Sequence, residues 1–134
     1  MRDGDGGRCA PPLGAECRQC PPVFSNPGAS VRPRVVYNPG LKRYILTAIK
    51  GGDARYGGGF GVYDAPEPWG PWTTVFFTDA WDVGPGESNA FPSKWLSDDG
   101  RTGWLVFSGD GQFSVRRATF ELATAPAPPQ ATGR

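Results

Sequence analysis

The amino-acid sequence predicts an all-β fold of antiparallel strands joined by short turns. Runs rich in β-branched and aromatic residues alternate along the chain with Pro- and Gly-rich turns. The clearest example is Gly59 to Phe77, where two strand-like runs flank a turn that holds Pro66, Pro68 and Pro71. Because proline lacks a backbone donor and fixes φ, no helix or central strand crosses this turn. A second copy of the strand pattern follows further along the chain.

The composition predicts one ordered domain between two irregular ends. The 134 residues include 20 glycines and 15 prolines, and this enrichment is strongest at both ends. We expect a disordered leader over residues 1–30, from which Pro22–Phe24 can dock locally, and a disordered tail over residues 123–134. The middle of the chain carries most of the aromatic residues. Residues 31–122 are therefore predicted to contain the core.

Charge and hydropathy argue against several classes of partner. The 14 basic and 13 acidic residues are interspersed and give a net charge of +1, so we expect no nucleic-acid partner. No apolar run reaches the roughly 18–20 residues of a membrane span. The first residues, MRDGDGGRCAPPL, lack the apolar centre of a secretory signal.

The cysteines do not predict a metal site. Cys17 and Cys20 form a C-x-x-C pair, but Cys9 is the only other thiol and the chain contains no histidine. A structural zinc site needs four ligands, and three thiols give no even disulfide framework. The sequence therefore predicts no cofactor, and an unstructured arm is the favoured interpretation of these residues.

The strands fall into two similar units, residues 33–78 and residues 91–122. In the first unit Asn38-Pro39-Gly40 suits a type II turn, and in the second Gly100 and Gly111 suit tight turns. The predicted strands of the first unit are Arg34–Tyr37, Arg43–Ile49, Gly59–Asp64 and Trp72–Thr78; those of the second are Pro92–Leu96, Gly103–Phe107 and Phe113–Leu122.

The repeat predicts about two blades of a β-propeller. Each unit is an antiparallel meander, and its spacing fits blade repeats of roughly 40–50 residues with lengthened loops. Tyr44–Ile49 and Trp104–Phe107 are apolar on both faces, as in strands covered on both sides. Since repeat proteins usually need at least three units, two blades would leave exposed apolar faces through which the chain can self-associate.

Three stretches carry a resemblance to a known family. Asp64–Trp72, DAPEPWGPW, resembles a blade turn of furanosidase-type propellers. Tyr37–Thr47 resembles a YNP-x-L-x-RY-x-LT hairpin, and Phe91–Gly109 looks like a last blade. The group is the family called domain of unknown function 4185, five-bladed propellers that include bacterial endo-D-arabinanases. The resemblance covers about residues 22–122 and implies a partial, C-terminal propeller portion, secreted or extracytoplasmic, whose substrate is a polysaccharide or oligosaccharide.

The resemblance also implies that most catalytic carboxylates lie in blades this sequence does not contain. Glycoside hydrolysis needs two facing carboxylates, and the candidates here are Asp82 and Glu87, with Asp79 beside them. The alternative is that these acids make ordinary loop hydrogen bonds. Asp64 is expected to cap the proline turn through its side chain. Asp98 and Asp99 are expected to be turn residues that precede Gly100.

Polar and aromatic residues supply the candidate binding site. Lys94 stands out because apolar residues surround it. Trp72, Trp95 and Trp104 are interpreted as residues that pack between blades, because aromatic side chains dominate cores. The predicted function is a glycosidase-like portion without a complete active site; the alternatives are a non-catalytic carbohydrate-binding or structural module, or a fragment without independent function. The predicted substrate-binding residues are Arg34, Asn38, Trp69, Trp81, Asn89, Ser93 and Lys94.

Overall fold

The structure, a computed structural model, describes residues 22–27, 31–50, 59–80, 88–109 and 111–123. Within these residues the protein is all-β, as predicted, and forms two antiparallel sheets, neither of which closes on itself. The first sheet contains β1 (Val31–Asn38), β2 (Arg43–Ile49), β3 (Phe60–Ala65) and β4 (Thr73–Thr78). The second sheet contains β5 (Asn89–Ala90), β6 (Thr102–Gly109) and β7 (Gln112–Thr119).

The first sheet is the predicted four-stranded meander, with strand order β1-β2-β3-β4. Its centre is β2, where Ile45–Ile49 are all buried. This burial confirms that the apolar run is covered on both faces. At the edge, β4 leaves five of its six residues exposed, so the sheet is buried at its centre and open at its outer strand.

The turn between β1 and β2 differs from the predicted type II turn. Asn38 pairs with Arg43, so four residues, 39–42, make the connection. The positive φ of 53° falls on Lys42 and not on Gly40. The Leu41 backbone N–H donates to Asn38 Oδ1 at 3.2 Å, and this side-chain bond takes the place of the tighter turn.

The second sheet departs from prediction at its first strand. Only Asn89 and Ala90 pair with β6, and the predicted strand over Pro92–Leu96 is wrong: Ser93–Trp95 form a 3₁₀ turn. The Trp95 N–H donates to the Pro92 carbonyl at 2.9 Å. Because Pro92 has no N–H, it cannot donate a hydrogen bond to a neighbouring strand, which disfavours a strand at this position. The Pro92 carbonyl accepts the local bond of the 3₁₀ turn.

The main core lies between the two sheets. Alternate residues of β6 face the first sheet, because successive side chains of a strand point to opposite sides. This packing buries large apolar side chains that come from both halves of the chain. Four partly buried residues lie at the border of this core: Val36, Leu96, Ala118 and Phe120. The buried members are Ile45, Phe60, Val62, Phe91, Leu105 and Phe107.

A smaller cluster covers the other face of the first sheet. Leu46, Ala48 and Tyr63 are buried there, against Phe24 and Trp72. The Phe24 and Tyr63 rings lie 4.6 Å apart between centroids. Residues 22–27 therefore lie on the sheet, as expected of Pro22–Phe24. Trp72 packs against Phe24 on its own sheet, and its packing between blades stays a prediction. The remaining leader, residues 1–21, and the tail residues 124–134 lie outside the described residues.

Asp64 does not cap the proline turn as predicted. Its Oδ2 accepts a hydrogen bond from Arg43 Nε at 2.7 Å, and the two side chains are roughly one-quarter to one-third exposed. The antiparallel register places Asp64 opposite Ile45, within reach of the long side chain of Arg43. The ion pair therefore links β2 to β3.

The outer faces of the two sheets expose large apolar side chains. On the first sheet Val35 and Tyr37 are exposed, and on the second Trp104, Phe113 and Val115 are exposed. No helix in the described part of the chain is long and apolar enough to span a membrane. Nor does this part contain a group of three or more His, Cys, Asp or Glu side chains placed to hold a metal ion; Cys9, Cys17 and Cys20 lie outside it.

Candidate functional site

An aromatic groove opens on the outer face of the second sheet. Its volume is about 600 Å³, within the roughly 300–1,000 Å³ typical of small-molecule sites. Apolar and aromatic walls with a few polar groups are also typical of binding sites. The groove is lined by Lys94, Trp95, Leu96, Ser97, Thr102, Trp104 and Val115.

The alternation of β6 places Trp104 in the groove. Gly103 and Leu105 are buried toward the first sheet, whereas Trp104 between them is 43% exposed. Val115 of β7 pairs with Val106 of β6 and lies on the same outer face. The floor of the groove is therefore the outer surface of two hydrogen-bonded strands.

The 3₁₀ turn supplies the other wall. Lys94 and Trp95 are exposed on this turn, and Trp95 is 46% exposed. Leu96 anchors the turn, because its side chain packs at the border of the main core. A Cβ at Gly103 would come within 2.8 Å of Leu96 Cδ2. The missing side chain of Gly103 thus leaves the space in which Leu96 holds the turn against the sheet.

A hydrogen-bonded loop closes one end of the groove. The Thr102 N–H donates to Ser97 Oγ at 2.9 Å, and Ser97 Oγ donates to Asp99 Oδ1 at 2.6 Å. The same carboxylate oxygen accepts from the Arg101 N–H at 3.0 Å, which confirms the predicted turn role of Asp99. The Ser97 hydrogen bond, followed by the Arg101 N–H, lowers the pKa of Asp99 because both stabilise the ionised carboxylate.

Among the described residues, two cations near the groove have no carboxylate partner: Lys94 lines the groove, and Arg117 lies beside it on the same sheet. Arg117 pairs with Trp104 across β6 and β7, so these two side chains lie on the same face. Within the described part of the chain neither cation forms an ion pair, unlike Arg43 and Lys50, which pair with Asp64 and Asp79. These cations are therefore available to a ligand.

The structure places the exposed binding candidates at different positions. Lys94 lines the groove, while Ser93 is exposed on the same turn outside it. Arg34 is exposed on β1, beside a cavity of about 20 Å³ where the sheets meet. Trp69 is 54% exposed on the turn between β3 and β4. Of these four residues, only Lys94 contributes to the aromatic groove.

The two asparagine candidates are buried. Asn38 is 0% exposed, and its Nδ2 donates to the Gly100 carbonyl at 2.8 Å. Asn89 is 1% exposed, and among the described residues neither its Nδ2 nor its Oδ1 has a hydrogen-bond partner. Asn38 therefore has a structural bond, and contact of either side chain with a sugar stays a prediction.

Of the three acids considered for catalysis, the structure describes Asp79. Asp82 and Glu87, together with Trp81, lie outside the described residues. Asp79 is described and forms an ion pair with Lys50, which agrees with its interpretation as a loop acid. A catalytic role for Asp82 and Glu87 stays a prediction.

The sequence pattern did not single out Trp95 and Trp104 as site residues. Their residue type predicts packing side chains, because aromatic side chains bury large areas and dominate cores. The useful signal is the period of two in Gly103-Trp104-Leu105-Val106-Phe107, which separates Trp104 from its buried neighbours. For Trp95 the signal is Pro92, which argues against a strand at this point.

Comparison of the chain with protein-family models, with curated proteins and with solved structures finds no match. The candidate function therefore rests on the residues of the groove and on the sequence resemblance.

Proposed function

We propose that this protein binds polysaccharide in the groove between Trp95 and Trp104. The observation that carries the proposal is a pair of exposed tryptophans in one groove, with Lys94 and Thr102 beside them. A contiguous exposed apolar surface on a folded domain typically marks an interaction or ligand-binding site. The resemblance to arabinan-degrading propellers points in the same direction, toward a sugar polymer.

The chemistry of the groove suits a sugar ring. The C–H face of a pyranose or furanose can lie on an indole, while its hydroxyl groups need donors and acceptors at the rim. The ammonium of Lys94 supplies donors, and the hydroxyl of Thr102 can donate and accept. Neither polar group has a hydrogen bond from its side chain within the described part of the chain.

Binding, and not hydrolysis, is the activity we assign to this groove. Hydrolysis of a glycosidic bond needs two carboxyl groups, roughly 5–9.5 Å apart depending on the mechanism. Among the described residues, seven line the groove and none of these is acidic. Hydrolysis stays a prediction for Asp82 and Glu87. It is tested by comparing the release of sugar from D-arabinan by the wild type with that by Asp82→Asn.

Affinity electrophoresis in gels that contain arabinan, galactan, xylan or polygalacturonate tests the proposal. We expect at least one polysaccharide to retard the wild type and the retardation to be lost in Trp104→Ala. Trp69→Ala is the matched control, because Trp69 is similarly exposed but does not line the groove. Failure of every polysaccharide to retard the wild type would reject the proposal. Loss of binding in Trp69→Ala alone would move the site to the proline turn.

A second candidate function is that of a propeller portion that assembles through its sheet faces. The observation that favours it is that Val35 and Tyr37 on one sheet, and Phe113 and Val115 on the other, are exposed on opposite outer surfaces. Two neighbouring blades would have this arrangement, with each outer face ready to pack on a further sheet. Sedimentation velocity over a range of concentrations tests it: association weakened by Val115→Lys supports assembly, and a monomer at all concentrations rejects self-association.

A further inference from the structure

We infer that the groove selects polysaccharides that carry carboxylate groups, such as chains of uronic acid. This inference rests on the proposed function and adds the chemical class of the ligand. The groups that support it are Lys94, Arg117 and the indole N–H groups of Trp95 and Trp104. Lys94, Trp95 and Trp104 line the groove. Arg117 lies beside it on β7, as the cross-strand partner of Trp104.

The unpaired polar groups around the groove are mostly donors. An ammonium, a guanidinium and an indole N–H donate hydrogen bonds and accept none. Within the described residues, no side-chain hydrogen bond or ion pair involves Lys94, Arg117, Trp95 or Trp104. A donor-rich surface is best matched by a ligand rich in acceptors, and an ionised carboxylate is an acceptor only.

The two cations bracket the aromatic surface. Lys94 precedes Trp95 directly, and Arg117 is the cross-strand partner of Trp104. Directly paired residues have Cβ atoms roughly 4.5–5.5 Å apart on the same face. Each tryptophan thus has a cation next to it. A sugar stacked on either indole would hold its carboxylate close to positive charge.

Asp99, one of the two acids in the loop between Ser97 and Thr102, already accepts hydrogen bonds. It accepts them from Ser97 Oγ and from the Arg101 N–H. It forms no ion pair with Lys94 or Arg117. The positive charge of Lys94 and Arg117 is therefore not neutralised by a direct contact within the described part of the chain.

A matched pair of polymers isolates the contribution of the carboxylate. Polygalacturonate and its fully methyl-esterified form share the same backbone, but only the first is charged at neutral pH. An exposed ion pair contributes between about 1.4-fold and fivefold in affinity. With two cations we therefore expect polygalacturonate to bind about two- to twenty-five-fold more tightly by isothermal titration calorimetry. Since exposed charges are screened by salt, the preference should shrink in 0.5 M NaCl.

Charge variants identify the residues responsible. Lys94→Gln with Arg117→Gln should bind both polymers equally, whereas Lys42→Gln should keep the wild-type preference. Lys42 is the control because it is exposed on the β1–β2 turn and does not line the groove. Circular dichroism and unfolding midpoints check that each variant is folded.

The outcomes separate this inference from the proposed function. Equal binding of both polymers by the wild type, with loss in Trp104→Ala, would overturn the carboxylate preference and leave polysaccharide binding standing. A preference for polygalacturonate that survives the double variant would also overturn the inference. If no polymer, charged or neutral, binds the wild type, the proposed function fails and the inference fails with it.

Discussion

The side chain of Asn38 joins the two sheets through the backbone of Gly100, 62 positions further along the chain. Its Nδ2 donates to the Gly100 carbonyl at 2.8 Å, and its Oδ1 accepts from the Leu41 N–H. One buried amide therefore closes its own turn and holds the turn of the other sheet. The two hydrogen bonds of the Asn38 side chain thus connect the β1–β2 hairpin to the loop that precedes β6.

Replacing Asn38 with alanine should destabilise the protein by about 1–3 kcal/mol. The substitution removes two hydrogen bonds and leaves the buried Gly100 carbonyl without its donor. Asn89→Ala is the matched control, since Asn89 is equally buried but its side-chain amide has no hydrogen-bond partner in the part of the chain that the structure describes. Removing an amide without hydrogen bonds relieves a desolvation cost. Asn89→Ala should therefore lose clearly less unfolding free energy than Asn38→Ala. Urea unfolding measures both, and equal losses would contradict the structural role of Asn38.

Gly100→Ala should cost about 2 kcal/mol more than Gly111→Ala. Both glycines have positive φ, 72° and 71°, so each alanine is strained by roughly 1–2 kcal/mol. A Cβ at Gly100 would also overlap Asn38 Oδ1, whereas nothing lies within 4 Å of one at Gly111. Overpacking of this kind typically costs about 1–3 kcal/mol.

Thermal unfolding of the two glycine variants gives the comparison directly. If both lose the same stability, conformational strain alone accounts for the effect. In that case the close approach between the two turns is not a constraint on the fold.

Phe24→Ala should destabilise the protein by about 1–3 kcal/mol, because Phe24 packs against Tyr63 and Trp72. Val23→Ala is the control, since Val23 is 58% exposed and surface substitutions usually change stability by less than about 0.5 kcal/mol. Urea denaturation followed by tryptophan fluorescence measures both. An unchanged midpoint for Phe24→Ala would show that residues 22–27 are not needed to cover the sheet.

The pKa of Asp99 should rise in Ser97→Ala, because the Ser97 hydrogen bond is the main cause of its lowered value. A carboxyl group with a lower pKa in the folded state stabilises the fold well above its ordinary value of 3.8. That contribution is lost as the pH falls below 3.8 through the folded-state pKa. Titration of the Asp99 carboxyl carbon by NMR measures the shift, and the same pKa in both proteins would contradict the assignment.

The sequence predicted the fold class and most strands, because the signals involved are local. Two local patterns predict β2 and the meander of the first sheet: runs of strand-forming apolar residues, and turns rich in proline and glycine. Neither pattern depends on contacts between distant residues. The local signal weakens where a segment is short or contains proline. Ser93–Trp95 became a 3₁₀ turn instead of a strand, because the local Trp95–Pro92 bond replaced a sheet ladder to which Pro92 cannot donate.

Of the candidate site, the sequence alone identified Lys94 by its unusual apolar neighbours, and it identified Asp99 as a turn residue. Tertiary structure decided which strand faces are exposed to solvent. Leu105 and Phe107 pack against the first sheet, so Trp104 on the opposite face of β6 is exposed. It also decided that Asn38 bonds to Gly100, a contact between positions far apart in the chain. Residue type and period act over a few positions, whereas burial depends on how distant segments pack, and only the folded chain determines that.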